Sequence, residues 1–163
     1  MNTSRKDGTV LMHDGLKRAW DEVVRPLLVR PKGIQVAALC RRGTGEDRRI
    51  LLVTSRGTGR WILPKGWPID GLDARGAALQ EAWEEAGVKR AVASDEAIGT
   101  FDYEKVLDSG ARVIVETHVF ALDVLEMADD YPEAGSRKRR WVRPEEAAEM
   151  VDTPGLRDFL SGL

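Results

Sequence analysis

The sequence predicts an α+β domain in which helices pack on a sheet. Three observations predict it. Apolar residues recur at helical spacing in Asp14–Val29 and again in Ala74–Ala86. Aliphatic and β-branched runs such as "GIQVAALCRR", "RRILLVTSR" and "ARVIVETHVFALDVL" are bounded by glycine-bearing turn segments. The elements then alternate as helix, strands, helix, strands, helices, with no internal repeat, no low-complexity tract and no linker.

The elements follow in chain order. The first nine residues are polar and predict no element. Leu16, Ala19, Trp20, Val23, Val24 and Leu27 share one helical face, and Pro26 and Pro31 end that helix. Residues 1–32 are therefore expected to form an N-terminal extension carrying a helix, and residues 33–163 the main domain. "GIQVAALCRR" and "RRILLVTSR" read as strands joined by the turn "GTGED". "RWILPKGW" reads as a short strand running into a Pro/Gly loop. Ala74–Ala86 reads as a helix, with Asp73 as N-cap and Gly87 at the C-terminal glycine position. "AIGTFDYEK" and "ARVIVETHVFALDVL" read as an antiparallel pair turning at "VLDSGA". "RRWVRPEEAAEMV" reads as a strand, a proline at the first helical position and a helix. "TPGLRDFLSGL" reads as a terminal helix.

Composition narrows the function classes. With 163 residues, 42% hydrophobic and 32% charged, the chain is long enough to bury a core and is well solvated. A net charge of −2 excludes a general polyanion binder, so any anion site must come from local clustering. One cysteine, Cys40, allows no intrachain disulfide and no cysteine-based zinc site, and no disulfide-linked partner is expected. Cys40 follows "VAAL" and reads as a small buried hydrophobe. No apolar run reaches 18 residues, so no membrane association is expected. "MNTSRKDGTVLMHDG" lacks the apolar stretch of a secretory signal, which makes the cytoplasm the expected location. His13 falls in the polar N-terminus and carries no assigned role.

The candidate site lies in Gly66–Val88, "GWPIDGLDARGAALQEAWEEAGV". On a helical wheel at about 100° per residue, Glu84 and Glu85 fall near 300° and 40° from Glu81. Leu79, Ala82, Trp83 and Ala86 fall on the opposite stripe, which is expected to face the sheet. Ala77 and Ala78 flank the acidic stripe with minimal side chains. Like charges at this spacing repel. Within the helix, only Lys89 at i+4 offers Glu85 a counter-charge. Clustered hard oxygens beside a glycine loop suit Mg²⁺ or Mn²⁺, which removes the repulsion.

These residues resemble the Nudix box, G-x5-E-x7-R-E-U-x-E-E-x-G-U, where U is aliphatic. Gly66, Glu81, Ala82, Glu84, Glu85, Gly87 and Val88 fill its places at the required spacing. "RWILPKG" resembles the usual strand entry to the box, and the likeness extends over about Gly33 to Leu160. The resemblance implies an α/β/α sandwich with a mixed β-sheet. It implies hydrolysis of a pyrophosphate in a phosphorylated small molecule, with Mg²⁺ or Mn²⁺. It places the metal on Glu81, Glu84, Glu85 and the Gly66 carbonyl. Glu84 stays open between ligand and general base, and Glu116 is a further candidate carboxylate, equally readable as a surface strand residue. Two positions depart from the box: Leu72 stands where Glu is expected and Gln80 where Arg is expected. Those two are generally a bracing pair, and both charges are absent together.

Three stretches resemble the diphosphoinositol polyphosphate and diadenosine polyphosphate phosphohydrolase subgroup: "LLVTSRGTGRWILPKG", "WEEAGVKR" and "GSRKRRWV". The resemblance implies a small polyphosphate substrate bound by Ser55, Arg56, Lys65, Arg137, Lys138 and Arg139. Arg137–Arg140 place four cations in a row, which suits several phosphates and equally reads as a solvated basic turn. The first strand lacks the cations that subgroup carries there. Two alternatives stand beside this reading: a pyrophosphohydrolase of nucleoside triphosphates or RNA 5′ ends, and a non-catalytic binding module of the same fold. Other nucleic acid is not an expected partner. Trp61 reads as core, Tyr103 as a weaker stacking candidate, and His118 is left unassigned.

Overall fold

The computed structural model describes residues 33–163. The helix expected over Asp14–Val29 and His13 lie outside the described residues. The strands are β1 (Gly33–Arg42), β2 (Arg49–Thr54), β3 (Trp61–Ile62), β4 (Lys65–Gly66), β5 (Val88–Ala93), β6 (Gly99–Val106), β7 (Arg112–Met127) and β8 (Arg139–Val142). The helices are α1 (Ala74–Ala86), α2 (Pro144–Met150) and α3 (Pro154–Ser161).

The strands form one eight-stranded sheet with the backbone order β3-β2-β1-β7-β5. β1 runs parallel to β7 over Gly33↔Val115 to Arg41↔Asp123, and the other pairings are antiparallel. The sheet is therefore mixed, and β1 and β7 are covered on both faces. That burial is written in "VAALC", a continuous apolar run where a half-exposed strand would alternate. Val36, Ala38 and Cys40 pack under α1 with Ala78 and Ala82. Ala37 and Leu39 face the other way, into a core with Leu156, Leu160 and Ala147 of α3 and α2. The result is the expected helix–sheet–helix arrangement. Cys40 is fully buried, and burial pushes its thiol up to about 12. Among the described residues, no helix is long and apolar enough to cross a membrane.

The helix that carries the glutamates begins and ends as the sequence predicts. The Asp73 carboxylate accepts from the Gly76 amide at 2.6 Å. Gly87 adopts φ 71° and ψ 27° and closes the last turn. A Cβ at Gly87 would meet the Tyr131 ring at 2.5 Å and the Arg139 guanidinium at 2.6 Å. Gly87→Ala is therefore expected to cost about 3 kcal/mol, from left-handed strain plus overpacking. Chemical denaturation of the variant beside wild type checks this; a loss under about 1 kcal/mol would show that the junction relaxes freely.

Two features of α1 correct the wheel. Ala77 and Ala78 are buried in the core beneath the helix and do not flank open space. Lys89 does not reach Glu85 but pairs with Glu126 at 2.8 Å. The left-handed Gly87 ends the helix, and β5 then carries Lys89 away along the sheet. β5 is absent from the sequence reading because it hardly alternates. Only Val88 and Ala93 are buried in it, and its register against β7 shifts twice.

Candidate active site

Glu81, Glu84 and Glu85 of α1 come together at one end of a long groove, beside β4 and the turn that follows β2. Antiparallel pairing of β4 with β1 (Val36↔Gly66, Ala37↔Lys65) presses the Lys65–Gly66 backbone against α1. The Lys65 amide donates to Glu85 Oε2 at 3.2 Å. A Cβ built at Gly66 would collide with the carboxylate of Glu81. Gly66 thus sits where only a glycine lets the helix carboxylate close on the strand. The Glu81 carboxylate and the Gly66 backbone consequently share one small space.

The three carboxylates have different surroundings. Glu85 is only 6% exposed. Its Oε1 accepts from Arg137 Nη2 at 2.7 Å, and both side chains are almost fully covered. Burial pushes the Glu85 carboxyl up to about 7, although Arg137 and the Lys65 amide pull it down. Glu81 is half-buried, and burial followed by repulsion from Glu84 holds its carboxyl above the usual range. Glu84 accepts from Gln80 Nε2 at 2.7 Å. Gln80 thus braces Glu84 within the helix. Leu72 is 46% exposed, so neither substituted box position leaves a buried charge unmatched.

That placement gives a direct expectation for Leu72→Glu. The new carboxylate would stand in solvent with no arginine at position 80 to pair with, so kcat stays within about twofold of wild type, as for most surface substitutions. Steady-state kinetics checks this, and a large gain in kcat would place Leu72 in contact with the catalytic loop.

A fourth carboxylate joins the cluster. Glu133 bonds Arg137 Nε at 2.8 Å and pairs with Arg56 at 3.3 Å. Its backbone amide donates to Glu84 O at 3.0 Å, which ties the segment before β8 to α1. Sequence reasoning missed Glu133. Its only signal is the four-residue spacing to Arg137, in a turn-rich stretch with no helical period.

Of the residues assigned to substrate, Ser55, Arg56, Lys65 and Arg137 line the groove. Ser55 Oγ is engaged with the Thr58 hydroxyl and accepts from the Arg60 amide, closing the turn. Lys65 Nζ donates to Tyr103 Oη at 2.9 Å, and that hydroxyl donates to Gln35 Oε1. Burial, then repulsion from Lys105, lowers the Lys65 ammonium to about 8. The structure does not bring Lys138 or Arg139 to the groove. Arg139 donates to Ala86 O at 2.9 Å and Ala128 O at 2.6 Å and so clamps the end of α1. Arg140 pairs with Glu146. Arg139 and Arg140 diverge because β8 alternates its side chains between faces, whereas Arg137 lies in the loop before β8 and turns onto Glu85 and Glu133. Glu116 bonds His118 at 2.9 Å and does not line the groove. Trp61 is half-buried against the α3-side core, as expected. Tyr103 belongs to the polar chain through Lys65.

The donor set fits a hard divalent cation. Glu81, Glu84, Glu85 and Glu133 outnumber the cations held on them, Arg137 and the largely exposed Arg56. Burial and mutual repulsion already disfavour the charged forms of Glu81 and Glu85. A divalent ion reverses both effects. Among the described residues, no three acidic, His or Cys side chains converge as a ready cage. Arg137 holds one oxygen of Glu85, and Gln80 holds one of Glu84.

Comparison with known proteins bears on the family and the fold. The NUDIX domain model matches residues 31–163. Diphosphoinositol polyphosphate phosphohydrolase 3-alpha of Mus musculus is 35% identical over 125 residues, covering 74% of this chain and 71% of that protein. The human 3-beta protein is 34% identical over the same length and shares. Among solved structures, C. elegans Ap4A hydrolase superposes with a TM-score of 0.57 at 21% identity, covering 80% of this chain and 94% of that one. The MutT protein from Methanosarcina mazei Go1 superposes with a TM-score of 0.59 at 23% identity, covering 82% and 94%. The structural likenesses establish the fold, and the match over residues 31–163 together with the 35% identical relative places the chain in the Nudix hydrolase family.

Proposed function

We propose that this chain hydrolyses a phosphoanhydride in a small polyphosphorylated molecule, of the diphosphoinositol polyphosphate or diadenosine polyphosphate type, with Mg²⁺ or Mn²⁺ bound by Glu81, Glu84, Glu85 and the Gly66 carbonyl. The observation that carries the reading is the closure of the Glu81 carboxylate on Gly66 beside a buried, charge-strained Glu85. Nudix hydrolases generally use divalent metal ions. When bound, such an ion supplies Lewis-acid polarisation of phosphoryl oxygen and a water of lowered pKa.

The chain's own residues do the rest. Lys65 and Arg56 line the groove next to the carboxylates and bind phosphate oxygens. Among the described residues, Lys65 Nζ donates to one acceptor, the Tyr103 hydroxyl, which leaves further donors for an anion. Glu84 is the more exposed neighbour of a buried Glu85 and takes a proton from the attacking water, or else serves as a ligand. Arg137 and Lys65 hold Glu85 from two sides and fix its orientation.

The test is a product assay on diadenosine tetraphosphate, a diphosphoinositol polyphosphate, a nucleoside triphosphate and 5′-triphosphate RNA, with Mg²⁺, Mn²⁺ or a chelator. Turnover of either of the first two that the chelator abolishes is expected. Preference for the triphosphates would favour the nucleoside triphosphate or RNA 5′-end alternative, and no turnover of any would overturn the reading.

A further inference from the structure

The Lys65 side chain is held by a polar chain that runs back into the core. Lys65 pairs with Ala37 of β1, whose side chain faces the α3 side of the sheet. Gln35, two residues before Ala37, lies on that same face. Tyr103 and Phe101 of β6 reach it as well. Lys65 Nζ donates to Tyr103 Oη at 2.9 Å, and Tyr103 Oη donates to Gln35 Oε1. Lys65 Nζ also lies 4.5 Å from the Tyr103 ring centroid, so hydroxyl and ring both locate it. At the other end of the residue, the Lys65 amide donates to Glu85. One residue thus ties the carboxylate cluster to a chain rooted in the core.

Each link of that chain is fixed. The Tyr103 ring packs on Phe101 at 6.3 Å between centroids, and Phe101 packs on Phe159 of α3 at 6.2 Å. Burial, then the Glu85 carboxylate, pushes the Tyr103 hydroxyl up to about 12, so it keeps its proton and donates. Gln35 is 1% exposed. Its neighbours on the same face of β1 are Ala37 and Leu39. An aliphatic residue would serve that core better, because a buried amide costs free energy that an alkyl side chain does not. The Gln35 oxygen is matched by Tyr103. Thr117, opposite Gln35 on β7, shows the contrast: its hydroxyl is buried with no partner.

Lysine is a point charge on a flexible stem, so presenting it in one direction needs such a hold. Lys105 works against that hold, because the two ammoniums repel. Lys105 itself lies over Trp67, 4.7 Å from the ring centroid, and the indole lies against Gly33. Lys105 is therefore held by a ring face, and Lys65 by a hydrogen-bonded chain. We infer that Tyr103 and Gln35 are positioning residues, and that the chain from Gln35 through Tyr103 sets the direction in which Lys65 meets a substrate phosphate. This rests on the phosphoanhydride reading above and deepens it. Tyr103 occupies one side of the ammonium and leaves its other donors for phosphate oxygens.

The experiment asks whether both residues act through Lys65. Calorimetry in Mg²⁺ measures binding of methylenediphosphonate, which is not hydrolysed at its bridge. Steady-state kinetics gives kcat/KM for diadenosine tetraphosphate and a diphosphoinositol polyphosphate. Tyr103→Phe, Gln35→Met and Thr117→Val are each made in wild type and in Lys65→Ala, with melting temperatures recorded. In wild type, Tyr103→Phe is expected to weaken the diphosphonate about tenfold, which corresponds to about 1.4 kcal/mol. Gln35→Met is expected to weaken it about threefold, as the loss of a more distant hydrogen bond. In Lys65→Ala, each is expected to change binding by less than about twofold, since a residue that acts through Lys65 adds nothing once Lys65 is gone. Losses of equal size in both backgrounds overturn the inference, as do unchanged binding in Tyr103→Phe and no measurable binding by wild type. Thr117→Val removes the unpartnered hydroxyl beside Gln35 and is expected to leave both readouts unchanged. A loss equal to that of Gln35→Met would assign the effect to packing and overturn the role of Gln35. Tyr103→Phe keeps the ring in place and decides the matter if Gln35→Met does not fold. Turnover of neither polyphosphate defeats the phosphoanhydride reading, while the coupling in diphosphonate binding still decides the positioning role. Turnover of either without that coupling defeats the positioning role alone.

Discussion

Glu85→Gln is expected to lower kcat by about 100-fold or more and to lower stability by less than the loss of a buried ion pair would. The substitution keeps shape and removes the charge. A metal centre contributes several kcal/mol of charge stabilisation to a hydrolytic transition state. At about 1.36 kcal/mol per decade, losing even half of that is a 100-fold effect. The stability cost has a separate origin. Glu85 receives donors from two sides, Arg137 and the Lys65 amide. Glutamine offers one carbonyl oxygen and one amide NH2, itself a donor, so one of the two donors loses its acceptor, at about 1–3 kcal/mol. Steady-state kinetics at saturating Mg²⁺ reads the first effect and urea denaturation the second. The control is Glu116→Gln, because Glu116 does not line the groove. A Glu85→Gln enzyme within threefold of wild-type kcat would remove Glu85 from the catalytic centre.

Arg137→Met is the second large effect, and it falls on stability. The Arg137 side chain is 7% exposed and its guanidinium is spent on Glu85, Glu133 and Thr54 O. Methionine fills the volume and abandons two carboxylates. Breaking a buried pair from one side costs about 3–5 kcal/mol, which for a domain of this size lowers the melting temperature by roughly 10 °C. Mn²⁺ should restore part of that loss, because an ion that binds the folded state stabilises it by mass action. From the sequence alone, Arg137 and Arg139 suggest a selective rise in KM for longer polyphosphates. With Arg137 holding Glu85 and Arg139 tying the Ala86 carbonyl at the end of α1 to the Ala128 carbonyl after β7, the expected loss is instead the same for short and long substrates. A variant of wild-type stability whose KM rises tenfold for a tetraphosphate and not for ADP-ribose would return Arg137 to direct phosphate contact.

The parts visible in the sequence are those set by local rules. Asp73 and Gly87 mark the ends of α1 because capping is a matter of a few adjacent atoms. The β6–β7 hairpin was visible because its turn residues lie between two strand-like runs. The parallel pairing of β1 with β7 was not, since strands about eighty residues apart carry no local sign of their register. The same division holds in the site. Glu81, Glu84, Glu85 and Gly66 are visible through fixed spacing on one helix and the loop before it. Glu133 and the orientation of Arg137 depend on a loop folding back over α1, which no periodicity records. Trp67 sits inside the box, but its exposure depends on Gly33 and Lys105, which join it only in the folded sheet.

The central claim is a divalent-metal centre built on the α1 glutamates and closed by Gly66. The most direct measurement is Mn²⁺ binding by calorimetry to wild type, Glu85→Gln and Gly66→Ala. Glu85→Gln removes a ligand charge, and Gly66→Ala puts a methyl group where the Glu81 carboxylate lies. Wild type is expected to bind Mn²⁺ at least tenfold more tightly than either variant, with all three folded at the temperature of the measurement. Equal Mn²⁺ affinity in the three proteins would contradict a metal centre at this place.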